Sequence, residues 1–419
     1  MNQALASRVA KESPMSRSPI PSVSDRADSL KLTRRLKMAR SAHAYVRGST
    51  QQFYDWLDAS PASVPQGPPI WICGDCHLGN LGPLADVKGE VDVQIRDLDQ
   101  TVIGNPAHDI IRLGLSLASA ARDSNLPGVA TARMLEQLMH GYEQGLEINP
   151  DEGSTDTLKP PRAIRTLLKR SIRRRWPQLA EERLSGPQSK ITLGKRFWPI
   201  KPSERKALQA LIESADAKDL LTRLDTRGGA DNPDRTVAVI DAAYWMKGCS
   251  SLGRLRYAVL VRIGSVNPSM ALVDVKEAVE AAAPRAPGVA MPRANADRVV
   301  AGAKALSPHL GERMVVGRIA GRAVVLRELA PQDLKLELTR TKPARAAAMA
   351  RYLGCVVGQA HGRQLDDTER AAWRKTVMKG RSEALDAPSW LWSSVVELLG
   401  LHEAAYLEHC RLYALAHRD

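Results

Sequence analysis

Apolar positions along the chain follow two periods, and the changes between them mark its elements. From residue 30 to 58, Leu30, Leu32, Leu36, Met38, Phe53, Trp56 and Leu57 supply the apolar positions of a helical region. A proline-rich break from Pro61 to Pro69 ends it and introduces the apolar run Ile70-Trp71-Ile72-Cys73, which reads as a strand. Two short apolar runs flank Asp86-Val87-Lys88-Gly89, the pattern of a hairpin. A strong helix begins at Asp109, after the turn Gly104-Asn105-Pro106, with Ile110, Leu113, Leu117 and Ala120 on one stripe. Further on, Tyr257 to Val261 and Met270 to Val275 read as strands, Asn295 to Leu306 as a helix, and Met314 to Gly317 and Ala323 to Arg327 as two more strands. Residues 344 to 361 read as a helix striped by Met349, Leu353, Val356, Val357 and Ala360. Runs of strands set apart from runs of helices predict an α+β fold.

Length and composition bound the rest. With 419 residues and 44% hydrophobic content, the chain can form two or three ordinary domains or one large two-lobed enzyme. No apolar run approaches the roughly 18 to 20 residues that cross a bilayer, so no membrane partner is expected. Residues 1–28 are polar and rich in Ser, Pro and charge, which predicts a disordered leader, no secretory signal and a cytoplasmic protein. Five cysteines fit reduced thiols. Cys73-Gly74-Asp75-Cys76-His77 matches the string that attaches c-type haem, yet attachment needs export. Zinc would need a second ligand pair, whereas Cys249, Cys355 and Cys410 stand alone; Cys73 and Cys76 read as small buried residues.

The net charge of +14 is concentrated. From Thr157 to Lys206 there are fifteen Lys or Arg against three Glu, and Ile164, Leu167, Leu168 and Ile172 place the basic residues on the outer faces of a helix. This segment is either a solvated surface or a dock for a phosphorylated or nucleic-acid partner. With only two Phe in the chain, the aromatic interleaving of a single-strand binder is scarce.

The densest chemistry lies in Gly74-Asp75-Cys76-His77-Leu78-Gly79-Asn80, followed by Asp97-Leu98-Asp99 and then Asp109. Phosphoryl transfer needs a carboxylate to take the proton of an attacking hydroxyl, and an amide oxygen with a second carboxylate to hold magnesium. Asp75, Asn80 and Asp97 have the types and order for these jobs. Asp99 is a candidate third metal ligand or a turn residue, and His77 a candidate to orient the loop or touch phosphate. Downstream, Gly248-Cys249-Ser250-Ser251-Leu252-Gly253 is a glycine-rich turn before a strand, and Lys276 follows the next one. Such a turn is often only a hairpin, and such a lysine often lies on a surface, but together they suit a grip on nucleotide phosphates. Arg298 and Arg327 are candidates for phosphate contact or for structural ion pairs. Asp109 reads as a structural helix start, and His361, before Gly362, as a C-terminal cap.

The block around Asp75 resembles the catalytic segment of the aminoglycoside phosphotransferase and protein kinase-like superfamily, with Cys73 where that family carries its first His. The resemblance implies Asp75 as base, and Asn80 and Asp97 as magnesium ligands. A nearer resemblance is to the bacterial family called domain of unknown function 2252. It is carried by Lys37-Met38, Tyr45-Val46-Arg47-Gly48, Gly74 to Asn80, Asp97-Leu98-Asp99, the basic block, Val275-Lys276-Glu277-Ala278, Arg298-Val299-Val300 and Leu326-Arg327-Glu328-Leu329.

In a kinase the glycine turn and lysine precede the catalytic loop; here they follow it. The expectation is therefore a kinase-like bilobal fold, circularly permuted. A small antiparallel β lobe at 225–335 would bind the nucleotide, and a larger helical lobe would be assembled from 29–224, with the catalytic loop, and 336–419. The helix 295–306 offers only Asp297 as an acid to position the lysine, while Glu277 and Glu280 follow Lys276 directly. The expected activity is ATP- and Mg2+-dependent phosphate transfer to a hydroxyl of an unidentified small molecule, an anionic acceptor being one option. Lys276, Gly248, Ser250, Ser251, Gly253 and Arg327 would bind the cofactor, Asn80, Asp97 and Asp99 the metal, and Asp75 and His77 would serve catalysis. The alternatives are AMP transfer at the same site, since fold does not settle function, and a non-enzymatic nucleotide sensor or nucleic-acid scaffold acting through 157–206. No pattern names the acceptor or the oligomeric state.

Overall fold

The computed structural model describes residues 20–60, 64–148, 158–184, 190–225, 236–249, 252–265, 268–334, 336, 341–381 and 386–415. The first helical region is three helices, α1 (Arg26–Met38), α2 (Ala42–Gly48) and α3 (Thr50–Ala59). Ser41 separates the first two, its side chain accepting from the Ala44 amide as a cap. Then come β1 (Ile70–Ile72), β2 (Leu81–Ala85), β3 (Val91–Ile95), β4 (Val102–Gly104), α4 (Ala107–Asp123) and α5 (Gly128–Glu147). The basic stretch contains α6 (Arg162–Ile172), α7 (Trp176–Leu184), β5 (Phe197–Trp198) and α8 (Pro202–Ile212), followed by α9 (Ala215–Asp225). Next are β6 (Val237–Trp245), β7 (Arg256–Ile263), β8 (Ser269–Glu277), α10 (Asn295–Leu306), α11 (Pro308–Gly311), β9 (Met314–Ile319) and β10 (Arg322–Glu328). Three helices close the chain: α12 (Pro343–Gly362), α13 (Asp367–Val377) and α14 (Ser389–Tyr413).

This is a mixed α+β protein, mostly helical. Its main sheet has six antiparallel strands in the order β5-β6-β7-β8-β10-β9. Two small pairs stand apart, β1 with β4 and β2 with β3, the latter joined by the expected turn at Asp86 to Gly89. The sheet is covered on both faces, which the alternation along β7 displays. Tyr257, Val259, Val261 and Ile263 pack with Leu208, Leu211 and Ile212 of α8, while Ala258 and Leu260 pack with Leu179, Ala180 and Leu184 of α7. Among the described residues, no helix is long and apolar enough to cross a membrane.

The helical part is built around α4, buried along most of its length, with α5 and α12 crossing in intimate contact. Small residues permit that approach: a Cβ placed on Gly141 would sit 1.7 Å from the Arg351 carbonyl oxygen, and one on Gly354 2.1 Å from that of Leu138. The stripe predicted for α6 holds at Ile164, which is fully buried, but Ile172 is 51% exposed. Its helix ends there, with Arg173 as the C-terminal cap residue, and Ile172 instead lines a surface cleft with Trp176 and Met270.

Candidate functional site

The sheet brings chemistry to one place through its period of two. On β8, Leu272, Asp274 and Lys276 share a face; Leu272 lies in the core beneath α7, while Asp274 and Lys276 reach a cleft beyond it. Register sets Arg256 of β7 and Val325 of β10 beside Lys276, and Arg327 beside Asp274. Asn80, Asp97 and Asp99 line the same cleft from the opposite side, and Gly248, between β6 and β7, lines it too. About 1130 Å³ of space, partly open to solvent, lies between them.

Lys276 is the link. Its Nζ lies 3.3 Å from Asp97 Oδ1 and 3.4 Å from Oδ2, across 179 positions of chain, and it also pairs with the Asp99 carboxylate. Burial would raise the Asp97 carboxyl, but the charges of Lys276 and then Arg256 outweigh it and hold the group below the usual carboxylate range. Asp99 is shifted the other way, upward, first by burial and then by the neighbouring Asp97 charge. The two carboxylates thus share one ammonium unequally. Glu277 also lines the cleft, but its carboxylate accepts from the Leu255 amide at 2.8 Å and pairs with Arg322 at 3.1 Å.

The loop carrying Asp97 and Asp99 is fixed through its backbone. The Arg96 amide donates to the Asn80 carbonyl at 2.7 Å, and the Arg96 carbonyl accepts from Arg327 at 2.9 Å. Arg298, fully buried, donates to the carbonyls of Asp99 at 3.1 Å and Val279 at 2.8 Å, and to that of Thr101. Its role is structural. Arg327 faces the cleft while also donating to Asp333 at 2.8 Å.

The loop from Cys73 to Asn80 is held by Asp109 in the first turn of α4. Asp109 Oδ2 accepts from the Cys73 amide at 2.7 Å and Oδ1 from the Gly74 amide at 2.9 Å; the helix start expected of it falls two residues earlier, at Ala107, so Asp109 braces this loop rather than capping its own helix. His361 departs from the cap expected: it is fully buried, with Nδ1 2.9 Å from the Tyr142 hydroxyl and Nε2 3.3 Å from Asp109. It sits on the inner face of α12, so packing rather than the helix end claims it. Gly74 has a φ of +73°, and a Cβ there would lie 2.1 Å from the Gln100 carbonyl oxygen. Cys73 and Cys76 are buried free thiols, as read from the sequence.

Asp75 lies just behind the cleft wall, its side chain 9% exposed, with Oδ1 accepting from Arg112 Nε at 2.9 Å. Burial raises its carboxyl, and Arg112 offsets part of that rise. Its backbone carbonyl accepts from Asn80 Nδ2 at 3.0 Å, which fixes the amide and leaves Asn80 Oδ1 as the remaining acceptor. His77 Nδ1 accepts from the Gly79 amide at 3.0 Å, so the ring proton lies on Nε2, 4.0 Å from Asp75 Oδ2. Burial, then the charge of Arg47, pushes His77 well below its ordinary value and keeps it neutral.

The glycine turn joins β6 to β7, with Gly248 at a φ of +96° and Gly253 at +104°. Lys37 Nζ donates to the Gly248 carbonyl at 3.1 Å. Ser250 and Ser251 lie outside the described residues. Sequence reading did not single out Arg112, Arg256, Asp274, Lys247 or Arg96. Asp274 accepts from Arg256 Nε at 2.9 Å, with Lys247 3.6 Å away. Period two along β8 offered a signal for Asp274, an acid two residues before Lys276 on a strand otherwise apolar. Arg96 carried none, since its burial depends on distant residues. Among the described residues, no three His, Cys, Asp or Glu side chains converge as a metal cluster.

No curated protein and no solved structure matches the chain. A family profile does, over residues 26–412, nearly the whole chain. The protein therefore belongs to the family described as an uncharacterized protein conserved in bacteria, DUF2252.

Proposed function

We propose that this chain is an ATP- and Mg2+-dependent phosphotransferase with a permuted, two-lobed kinase-like fold, acting on a hydroxyl of a small molecule. One observation carries the reading: Lys276, on a strand of the main sheet, meets Asp97 and Asp99 in a cleft that Asn80 also lines. The order of elements from β6 to β10 supports it: apart from the four-residue α11, it is strand, strand, strand, helix, strand, strand, that of a kinase small lobe. Lys276 would pair with nucleotide phosphates, and the turn at Gly248 to Gly253 would cover them. The donor set fits magnesium, two carboxylates and an amide oxygen being hard ligands that leave room for phosphate oxygens. Asp97, Asp99 and Asn80 would hold the ion, which supplies neutralisation of phosphate charge.

In the transfer, the acceptor hydroxyl oxygen forms a bond to the γ-phosphorus while its bond to the bridging oxygen breaks. ADP leaves, and the hydroxyl proton passes to Asp75, whose raised carboxyl suits a base. Neutral His77 would stand on the other side of that carboxylate, Nε2 4.0 Å from Oδ2.

The test is calorimetric titration of Mg·ATP into wild type, Asp97→Ala and Lys276→Ala. Wild-type binding weakened at least a hundredfold in both variants is expected; no binding by folded wild type at millimolar ATP overturns the reading. AMP transfer is favoured by a different observation: Arg96, a cleft arginine without an acid partner among the described residues, could receive phosphates of a nucleotide lying the opposite way. Products separate the two, ADP for phosphate transfer and pyrophosphate for AMP transfer.

A further inference from the structure

The basic segment at 157–206 drew attention by charge density, yet the cations nearest the catalytic loop come from elsewhere. Arg47, in the last turn of α2, lays its guanidinium against Gly79: a Cβ on that glycine would lie 2.9 Å from Arg47 Cζ. The side chain lines the cleft beside Asn80. Its Nε is buried without a hydrogen-bond partner, and among the described residues no carboxylate pairs with the guanidinium. A part-buried, unpaired guanidinium is costly unless an anion visits it. From α1 and the turn after it, Lys37 donates to the Gly248 carbonyl at 3.1 Å, and the charges of Lys37, Arg34, Arg47 and Arg40 all act on the Cys249 thiol in the glycine turn. Gly48 packs there too, a Cβ on it falling 3.2 Å from Cys249 Sγ.

The position is specific. Lys276 approaches Asp97 and Asp99 from the sheet, whereas Arg47 approaches Gly79 and Asn80 from the side of the loop that carries Asp75. A hydroxyl addressed by Asp75 would have the rest of its molecule near Arg47. Building on the phosphotransferase reading, we infer that the acceptor is a hydroxylated small molecule bearing a phosphate group, and that Arg47 seats this phosphate. The planar fork of arginine suits two phosphate oxygens at once. Arg34, Lys37 and Arg40 add positive charge beside this site, which favours an anion.

The probe is inorganic sulfate, a phosphate surrogate compatible with magnesium, titrated at constant ionic strength into protein saturated with Mg2+ and a non-hydrolysable ATP analogue. Wild type, Arg47→Gln, Arg47→Lys and, as a control on the exposed basic helix, Arg170→Gln are compared, with thermal melts to verify folding. Expected are sulfate binding by wild type and Arg170→Gln, at least a tenfold loss in Arg47→Gln, a smaller loss in Arg47→Lys, and nucleotide affinity within twofold throughout. Equal sulfate affinity in Arg47→Gln, or no sulfate binding by wild type, overturns the inference. Loss of the nucleotide in Arg47→Gln also overturns it, by assigning Arg47 to the nucleotide phosphates. If wild type binds no nucleotide, sulfate is titrated into the protein alone. Arg47-dependent binding then sustains the anion site while the phosphotransferase reading fails.

Discussion

The two walls of the cleft are held in opposite ways. On one wall, the loop from Cys73 to Asn80 is pinned through its backbone by Asp109, which rests in turn on His361 and Tyr142, all buried. On the other, Lys276 is held by Asp97 and Asp99, and the Gly248 to Gly253 turn has one hydrogen bond from Lys37. The first wall is preorganised by groups no ligand would touch. The second is held by groups that a ligand's charges would compete for. Under the proposed phosphotransferase reading, the first wall would position the reacting groups rigidly and the second would adjust to a mobile, charged donor.

The sharpest way to break the contrast is Asp109→Ala. It strands two buried backbone amides and removes the partner of His361, so a loss of about 3 to 5 kcal/mol is expected. Urea unfolding measures it; a loss below about 1 kcal/mol would mean that the loop is held by something else.

Acid separates the walls next. Burial would raise Asp274, but Arg256 and Lys247 hold it below the usual carboxylate range, and Arg313 and Arg327 do the same for Asp333. A lowered folded-state value means that stability from these pairs is fully present above about pH 4, the ordinary carboxylate value, and is lost as pH falls below it. A decline on the order of 1 to 3 kcal/mol per group is expected between pH 5 and pH 2, by the same linkage. Hydrogen exchange resolved by segment should show β8 and β10 loosening before the Cys73 to Asn80 loop. Simultaneous loosening would erase the distinction.

The smallest effect comes from a pair of glycines. Gly253→Ala places a side chain at a φ of +104° with nothing within 4 Å, so only backbone strain of about 1 kcal/mol is expected. Gly74→Ala meets the Gln100 carbonyl oxygen at 2.1 Å and should cost several times more. Equal melting shifts would show that both turns yield alike.

Much of this was legible in residue order. Helix α10 spans Asn295–Leu306, as its apolar spacing predicts, and the strand around Lys276, the hairpin at Asp86 to Gly89 and helix α12 follow from local pattern as well. The helical region at 30 to 58 hid two breaks, because Ser41 and Ser49 interrupt the chain without disturbing the count of apolar residues. Strand β5 carries only Phe197 and Trp198, too short for any period to reveal. His361 misled because a histidine before glycine has a local explanation, whereas its partners, Asp109 and Tyr142, lie 252 and 219 positions away.

By itself the sequence determined the kinds of elements, the family and the groups able to do chemistry, because helical and strand periods and residue type are local properties. Tertiary structure decided which of those groups meet. Lys276 reaches Asp97 and Asp99 because strand register and a backbone-fixed loop face each other across the cleft. Arg47 stands beside Gly79 without a carboxylate partner among the described residues for the same kind of reason: charge can be counted along a chain, but neutralisation depends on which distant carboxylates the fold brings near.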